Sequence, residues 1–286
     1  MKGVSSRSLC DASMVTMSES TTSSSPTVPV VAIVLAAGFG TRFDPKNPKQ
    51  LVSVDDRPVI AWSLEAFEDA PEVTDIVVVV NPTVYEAVEG VIDERGFAKV
   101  RALVPGGETR ADSTVAALDF LAQSGIPHDA KVLIHDGVRP FVSPKIIGEC
   151  VAVLDSVNAA TVAVPSTDTI LLATPDEGDD KTPKVRAVPD RAATFRAQTP
   201  QCFRFGTIRD AYNRAADDEG FRPTDDTRVI IDYLPDEPVA IVQGSDDNMK
   251  ITVQGDIDVA ETIAPRARRV RNLARKRIAQ QMLADM

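Results

Sequence analysis

The 286-residue chain is poor in cysteine, histidine, aromatic residues and long apolar runs. Its three cysteines, Cys10, Cys150 and Cys202, are isolated, odd in number and without a C-x-x-C pair. That excludes a disulfide framework and a zinc ribbon, and points to a reducing compartment. No apolar run reaches the roughly 18 residues of a membrane helix, and the N-terminus lacks the apolar stretch of a secretory signal. The expected location is the cytoplasm, with no membrane span. With only His128 and His135, no Ser-His-Asp or Cys-His set can be assembled. Basic residues are outnumbered: 31 Lys+Arg against 42 Asp+Glu leave a net charge of −11. This excludes a general nucleic-acid binder, whose affinity comes from neutralising phosphates with a basic face. Length and the 43% hydrophobic content suffice for one large or two small domains with a buried core.

Residues 1–28 are rich in Ser and Thr, with S-E-S-T-T-S-S-S-P at Ser18 to Pro26. They are expected to form a disordered tail, having too little apolar surface to offset the entropy of ordering. Met14 and Met17 lie inside it, so the folded protein is expected to begin near Val28. From there apolar runs alternate with amphipathic ones. Strands are expected at Val30–Ala36, Asp75–Val80, Val100–Val104, Lys131–His135 and Thr161–Pro165. Helices are expected at Val59–Phe67, Thr83–Glu94, Asp112–Gln123 and Pro144–Leu154. Continuous β-branched runs such as Ile76–Val80 fit strands covered on both faces, hence a parallel sheet with crossover helices. Pro58 suits the first turn of a helix that buries Ile60, Leu64, Phe67 and part of Trp62.

The rhythm breaks between Ser166 and Pro200, where Asp168–Leu172 and Lys184–Val188 flank a run rich in Asp, Pro and Gly. This predicts a projecting hairpin arm at about 166–200, with so little core of its own that it needs a second subunit to lie on. Helices Gly206–Ala216 and Asp225–Tyr233, a strand Val239–Gln243 and a helix from Ile257 follow. The main domain thus spans 29–264, and 265–286 form a basic helical extension, with seven basic residues in the twelve from Arg266 to Arg277. Val270, Leu273, Ala274 and Ile278 recur in it at helical spacing. A solvated basic face, docking on this protein's acidic body or on a partner, and binding to anionic lipid are its three readings.

After the first strand comes L-A-A-G-F-G-T-R, Leu35 to Arg42, then P-K-Q at Pro48 to Gln50. Gly38 and Gly40 let backbone N–H groups close on a polyphosphate without an intervening Cβ, and Arg42 and Lys49 supply the charge. An ordinary glycine-containing turn is the plain alternative. Phe43 stands where a dinucleotide fingerprint needs its third glycine, and no Gly-Lys-Ser/Thr follows, so neither that fingerprint nor a Walker loop applies. Asp136 ends an apolar strand, where open α/β sheets bind ligands; capping the next turn is its alternative. Gly106, Gly107 and Ser113 form a set able to read a flat base, although Asp112–Ser113 equally suits a helix N-cap. Lys250 lies in an apolar, strand-like setting that rarely buries an unpaired Lys, which points to a phosphate partner.

The strings L-A-A-G-x-G-x-R and P-K-Q resemble the signature of nucleotidyltransferases that couple a nucleoside triphosphate to a phosphorylated sugar or polyol. Four more resemble the 2-C-methyl-D-erythritol 4-phosphate cytidylyltransferase family of the non-mevalonate isoprenoid pathway. They are G-G-E-T-R-A-D-S at Gly106–Ser113, H-D-G-V-R-P at His135–Pro140, R-A-Q-T-P-Q at Arg196–Gln201 and N-M-K-I-T at Asn248–Thr252. The resemblance runs in order from about Val30 to Ala264. It implies a Rossmann-like, mostly parallel α/β sheet with helices on both faces and a projecting β-arm for dimerisation. It implies CTP and a polyol phosphate as substrates, Mg²⁺ as cofactor, and sites completed across a homodimer. Arg42, Lys49 and Lys250 would be catalytic. Ala36, Ala37, Gly38, Gly40, Gly106, Gly107, Glu108 and Ser113 would face CTP, and Asp136 would hold the metal. Arg139, Thr169, Arg191, Thr199 and Thr224 would face the acceptor, Arg191 and Thr199 from the neighbouring subunit; a surface salt bridge is the alternative for Arg139, an exposed loop arginine that for Arg191, and an N-cap explains Thr224 equally well. The acceptor phosphate is already ionised and needs no general base, so positioning and charge neutralisation carry the rate. His135 reads as a packed structural residue.

Two positions depart from the family's pattern: Glu108 where it carries Asp, and Val138 where it carries Ala. Val138–Phe141 is closer to ribitol 5-phosphate cytidylyltransferases, the main alternative, while R-A-Q-T-P-Q favours methylerythritol phosphate. A noncatalytic nucleotide-binding protein is the alternative of another class; loss of Arg42, Lys49 or Asp136 would favour it, and all three are present.

Overall fold

The computed structural model describes residues 28–38, 43, 48–174 and 182–284. The N-terminal tail read from the sequence lies outside them, apart from Val28. Strand β1 (Val30–Ala36) is buried throughout. A hairpin of β2 (Ser53–Val54) and β3 (Arg57–Pro58) leads into α1 (Val59–Glu68). Then come β4 (Asp75–Val80), α2 (Tyr85–Arg95), β5 (Val100–Pro105), α3 (Arg110–Gln123), β6 (Lys131–Asp136), α4 (Pro144–Val153) and β7 (Ala159–Pro165). The ribbon β8 (Leu172–Ala173) and β9 (Val185–Ala187) precedes β10 (Phe195–Arg204), α5 (Phe205–Ala215), α6 (Asp226–Tyr233), β11 (Val239–Gln243) and α7 (Asp256–Ala284).

The central sheet runs β11-β7-β10-β6-β1-β4-β5, parallel at every pairing except those of β10, which is antiparallel to both β6 and β7. Alternate residues of its middle strands enter opposite cores. Ala32, Val34, Ile76 and Val78 meet Leu64 and Phe67 of α1 and Ile147 of α4. Val31, Ile33, Val77 and Val79 meet Leu118 of α3, Ile208 of α5 and Ile230 of α6. Because both faces are covered, the strands read as unbroken β-branched runs, each such side chain contributing roughly 1.5–3 kcal/mol on burial.

The main correction to the sequence reading is β10. Phe195–Pro200 reads as part of the arm, yet Phe195–Ala197 pair with Pro165–Ala163 of β7 and Gln201–Arg204 with β6. Arg, Gln, Thr and Pro make this stretch look like loop; two waiting strand edges and buried partners for its polar side chains make it a strand. What stands apart from the sheet is narrower. The ribbon β8–β9 stands outside the central sheet and leaves Leu171, Leu172, Val185 and Val188 exposed; residues 175–181, between its strands, lie outside the described residues.

Trp62 is fully rather than partly buried, and its Nε1–H donates to Val54 O at 2.9 Å. The reason is α7, whose basic half docks on the acidic body, so that a wholly solvated basic face is ruled out. Arg271 is buried, with Nη1 2.7 Å from Glu65 Oε2 and Nη2 donating to Trp62 O at 3.1 Å. Arg275 pairs with Asp69 at 2.8 Å, Arg266 with Asp247 and Arg268 with Asp55. Glu65 also pairs with Arg57 and Arg95. The guanidiniums of Arg57 and Arg271 lie 5.0 and 5.3 Å from the Trp62 ring centre, in cation–π range.

Candidate active site

The chain builds β1, β4 and β5 outward in one direction, then returns to place β6 on the other side of β1. That reversal is a topological switch point, where carboxyl-end loops diverge and leave a crevice. Leu35 pairs in register with Asp136, so the loop after β1 and the turn after β6 begin side by side. A cavity of about 310 Å³ opens there. Of the residues singled out in the sequence, Ala36, Ala37, Gly38, Lys49, Gly107, Glu108, Ser113, Asp136 and Lys250 line it. Gly40 and Arg42 lie outside the described residues.

Close approach explains the glycine pair. A Cβ on Gly106 would fall 2.3 Å from Ala37 Cβ, and one on Gly107 2.3 Å from Asp112 Cβ. Ser113 is buried and shapes this loop from within: its Oγ accepts from Gly107 N–H at 3.2 Å and donates to Thr109 O at 3.0 Å. The N-cap of α3 is Thr109 rather than Asp112 or Ser113; Asp112 closes a capping box by accepting from Thr109 N–H at 2.9 Å. Gln50, to which the sequence assigned no role, donates from its buried Nε2 to Ala36 O at 3.1 Å and folds the Pro48–Gln50 segment back onto β1.

Asp136 is the electrostatic centre. Lys250 Nζ is 2.8 Å from its Oδ2, Arg139 Nε 3.5 Å from the same oxygen, and Arg110 Nε 3.4 Å from Oδ1. Burial alone would push the carboxyl's pKa up, but Arg110, Lys250 and Arg139 outweigh it and hold Asp136 far below the usual carboxylate range. Lys250 sits in a loop, not the strand-like setting read from the sequence. That loop is fixed by the fully buried Asn248, whose Nδ2 donates to Thr199 O at 2.8 Å and to Gln198 Oε1 at 3.2 Å. Arg139 Nη1 donates to Asn248 O at 2.9 Å, and Ile251 N–H to Val138 O at 2.9 Å. Asp256, at the start of α7, accepts from the backbone of Thr252 and Val253.

Of the acceptor residues read from the sequence, Arg139 and Thr199 sit beside Asp136, whereas Thr169, Arg191 and Thr224 do not line the cavity. Thr169, ahead of β8, and Arg191, after β9, are exposed, and Thr224 is exposed just before α6. The N-cap of α6 is Asp225, whose Oδ1 accepts from Arg228 N–H. Thr199 is 4% exposed and its hydroxyl is committed within its own chain, to Asp136 N–H and His135. That is a correction to its reading as a residue reaching into a neighbouring subunit. Arg110 and Asn248, both inside quoted motifs, went unassigned because only tertiary contacts show their partners.

Among the described residues no cluster of three or more His, Cys, Asp or Glu could hold a metal. Asp136 still fits a hard cation such as Mg²⁺, which takes one protein carboxylate and fills its shell with phosphate oxygens and water. It is ionised and on the cavity wall, and Lys250, on its Oδ2, is half-exposed.

A cleft at the carboxyl ends of parallel strands, ringed by cations and with no histidine or cysteine among its described lining residues, suits displacement at phosphorus without a general base. That places the protein among the α/β nucleotidyltransferases. Residues 30–266 match the model of the family IspD: 2-C-methyl-D-erythritol 4-phosphate cytidylyltransferase. The chain is 63% identical over 238 residues to the 2-C-methyl-D-erythritol 4-phosphate cytidylyltransferase of Bifidobacterium longum strain DJO10A, covering 83% of this chain and 81% of that protein. It is 35% identical over 233 residues to the bifunctional ribulose 5-phosphate reductase/CDP-ribitol pyrophosphorylase Bcs1 of Haemophilus influenzae, covering 82% of this chain and 48% of that one. The crystal structure of 4-diphosphocytidyl-2C-methyl-D-erythritol synthase from Anaerococcus prevotii superposes with a TM-score of 0.70 at 27% identity, over 83% of this chain and 96% of that one. The chain belongs to the 2-C-methyl-D-erythritol 4-phosphate cytidylyltransferase family.

Proposed function

We propose that the protein transfers CMP from CTP to 2-C-methyl-D-erythritol 4-phosphate and releases pyrophosphate. The observation that carries this reading is the meeting of Lys49, Lys250 and Asp136 on one cavity beside the Gly106–Gly107 turn. An acceptor phosphate oxygen attacks the α-phosphorus, the bond to the bridging oxygen breaks, and pyrophosphate leaves. Lys49 and Lys250, with Arg42 from the glycine loop, offset the negative charge that grows on the triphosphate. Gly107, Glu108 and the backbone of Ala36 to Gly38 face the nucleotide. Mg²⁺ at Asp136, when bound, supplies Lewis-acid stabilisation of phosphate oxygens.

The exposed apolar side chains of the ribbon support a homodimer in which Thr169 and Arg191 serve the partner's acceptor site. Mixing inactive Lys49→Ala and Arg191→Ala proteins tests this. Mixed dimers regain one intact site if the sites are shared, and stay silent if they are not.

The deciding experiment is pyrophosphate release by the purified protein with CTP and Mg²⁺, offered methylerythritol 4-phosphate and ribitol 5-phosphate in parallel. Turnover of the first alone is expected, in line with the 63% identical relative. Turnover of the second alone would reassign the acceptor, and silence with both would leave a nucleotide-binding protein.

A further inference from the structure

Arg110 has no part in the reaction as described above, yet it occupies a place that a cation should avoid. It is the first residue of α3, at the positive end of the helix dipole. Two carboxylates hold it there: Nη1 donates to Asp226 Oδ2 at 2.6 Å, and Nε lies 3.4 Å from Asp136 Oδ1. Asp226 has no solvent exposure. Its Oδ1 accepts from the Tyr212 hydroxyl at 2.7 Å, and its backbone N–H donates to Gln201 Oε1 at 2.8 Å. Helices α3, α5 and α6 therefore converge on one buried carboxylate, and Arg110 links that carboxylate to Asp136.

The cations around Asp136 differ in how firmly they are held. Lys250 is half-exposed, on a loop, and pairs with Asp136 Oδ2 at 2.8 Å; Arg139, held by Asn248 O, approaches the same oxygen only to 3.5 Å. Arg110 is tied on its far side to a carboxylate that would be left buried and charged if the guanidinium moved. We propose that Arg110, locked by Asp226 and Tyr212, is a positioning residue that fixes Asp136 through Oδ1 and leaves Oδ2 as the oxygen able to release Lys250 while Arg139 stays beside it. Lys250 can then pass to a phosphate oxygen of the arriving nucleotide while the carboxylate keeps its orientation toward a divalent cation. This rests on the reading of the cavity as a nucleotide and Mg²⁺ site.

The test uses the full-length protein and the variants Tyr212→Phe, Asp226→Asn and Arg110→Lys. Mn²⁺ binding in the presence of CTP is followed by electron paramagnetic resonance, alongside kcat, KM for CTP and thermal unfolding. Tyr212→Phe is expected to keep KM within about twofold while weakening Mn²⁺ about tenfold, the loss typical of a group that orients a metal ligand. Arg110→Lys should lose at least as much, since one ammonium cannot bridge both carboxylates. Wild-type Mn²⁺ affinity and kcat in both variants, whatever their melting temperatures, would overturn the proposal. If Asp226→Asn fails to fold, Tyr212→Phe still decides it. Failure of the wild type to turn over any acceptor would count against the proposed reaction, while the Mn²⁺ titrations would still decide the role of Arg110.

Discussion

The Thr199 hydroxyl accepts the backbone N–H of Asp136 at 3.1 Å and donates to His135 Nδ1 at 3.0 Å. His135 Nε2–H in turn donates to Arg139 O at 3.0 Å. The network assigns His135 the Nε2–H neutral tautomer. A residue of the antiparallel strand thus pins both ends of the turn that presents Asp136 and Arg139.

Thr199→Val keeps the shape and removes this link, leaving two buried polar groups unmatched. A loss of about 2–3 kcal/mol in urea denaturation is expected, with kcat falling at least about tenfold as the turn loosens. Thr199→Ser restores the hydroxyl and should recover most of both. A Val variant with wild-type kcat would detach Thr199 from the positioning of Asp136.

Burial lowers the His135 pKa to about 4, against about 6.5 in an unfolded chain. Between those values the unfolded chain takes the proton and the folded one does not. The contribution is therefore complete above pH 6.5 and falls by about 3 kcal/mol as pH drops to 4. Urea midpoints measured in EDTA at several pH values should slope down through this window in the wild type. In His135→Asn that part of the slope should vanish; an equal slope in both proteins would refute the assignment.

Lys250 and Asp136 should separate activity from stability. Lys250→Met removes a half-exposed partner and is expected to shift stability by no more than about 1 kcal/mol. Its kcat should fall about 10²–10³-fold if it neutralises charge on phosphate in the transition state. Asp136→Asn should abolish turnover and also destabilise, because Arg110, Arg139 and Lys250 then face one another without their anion. Pyrophosphate release and thermal melts on the same preparations read both quantities.

Trp62 is the only tryptophan, and it reports on the C-terminal helix. Arg271→Met removes the guanidinium between Trp62 and Glu65 and strips a buried carboxylate of one partner. Destabilisation of about 3 kcal/mol and a red-shifted emission are expected, with kcat little changed below the melting transition. An unaltered spectrum and midpoint would mean that Arg271 contributes nothing to the docking of the helix.

The sheet was legible because its signal is local. Residues 30–36 and 76–80 are apolar at every step where both faces are covered, and 100–105 is apolar but for Arg101; this pattern together with the intervening amphipathic stretches locates strands and helices to within a residue or two. The Gly106–Gly107 turn was legible for a similar reason, since its glycines mark where the backbone passes too close for a Cβ. β10 was not legible. Its Gln198, Thr199 and Gln201 are polar in sequence, and their partners Ser245, Asn248, His135 and Asp226 become neighbours only when β6, β7 and the loop before α7 are assembled.

By itself the sequence determined the layers, the mostly parallel run of the sheet and the family, because periodicity and motif spacing are properties of neighbouring residues. Tertiary structure alone decided that Arg110 joins Asp136 to Asp226, that Thr199 serves its own chain, and that Arg271 closes on Glu65 across 206 positions. Charges so far apart in the chain acquire partners only through packing, and at that point burial removes the water that would otherwise screen them.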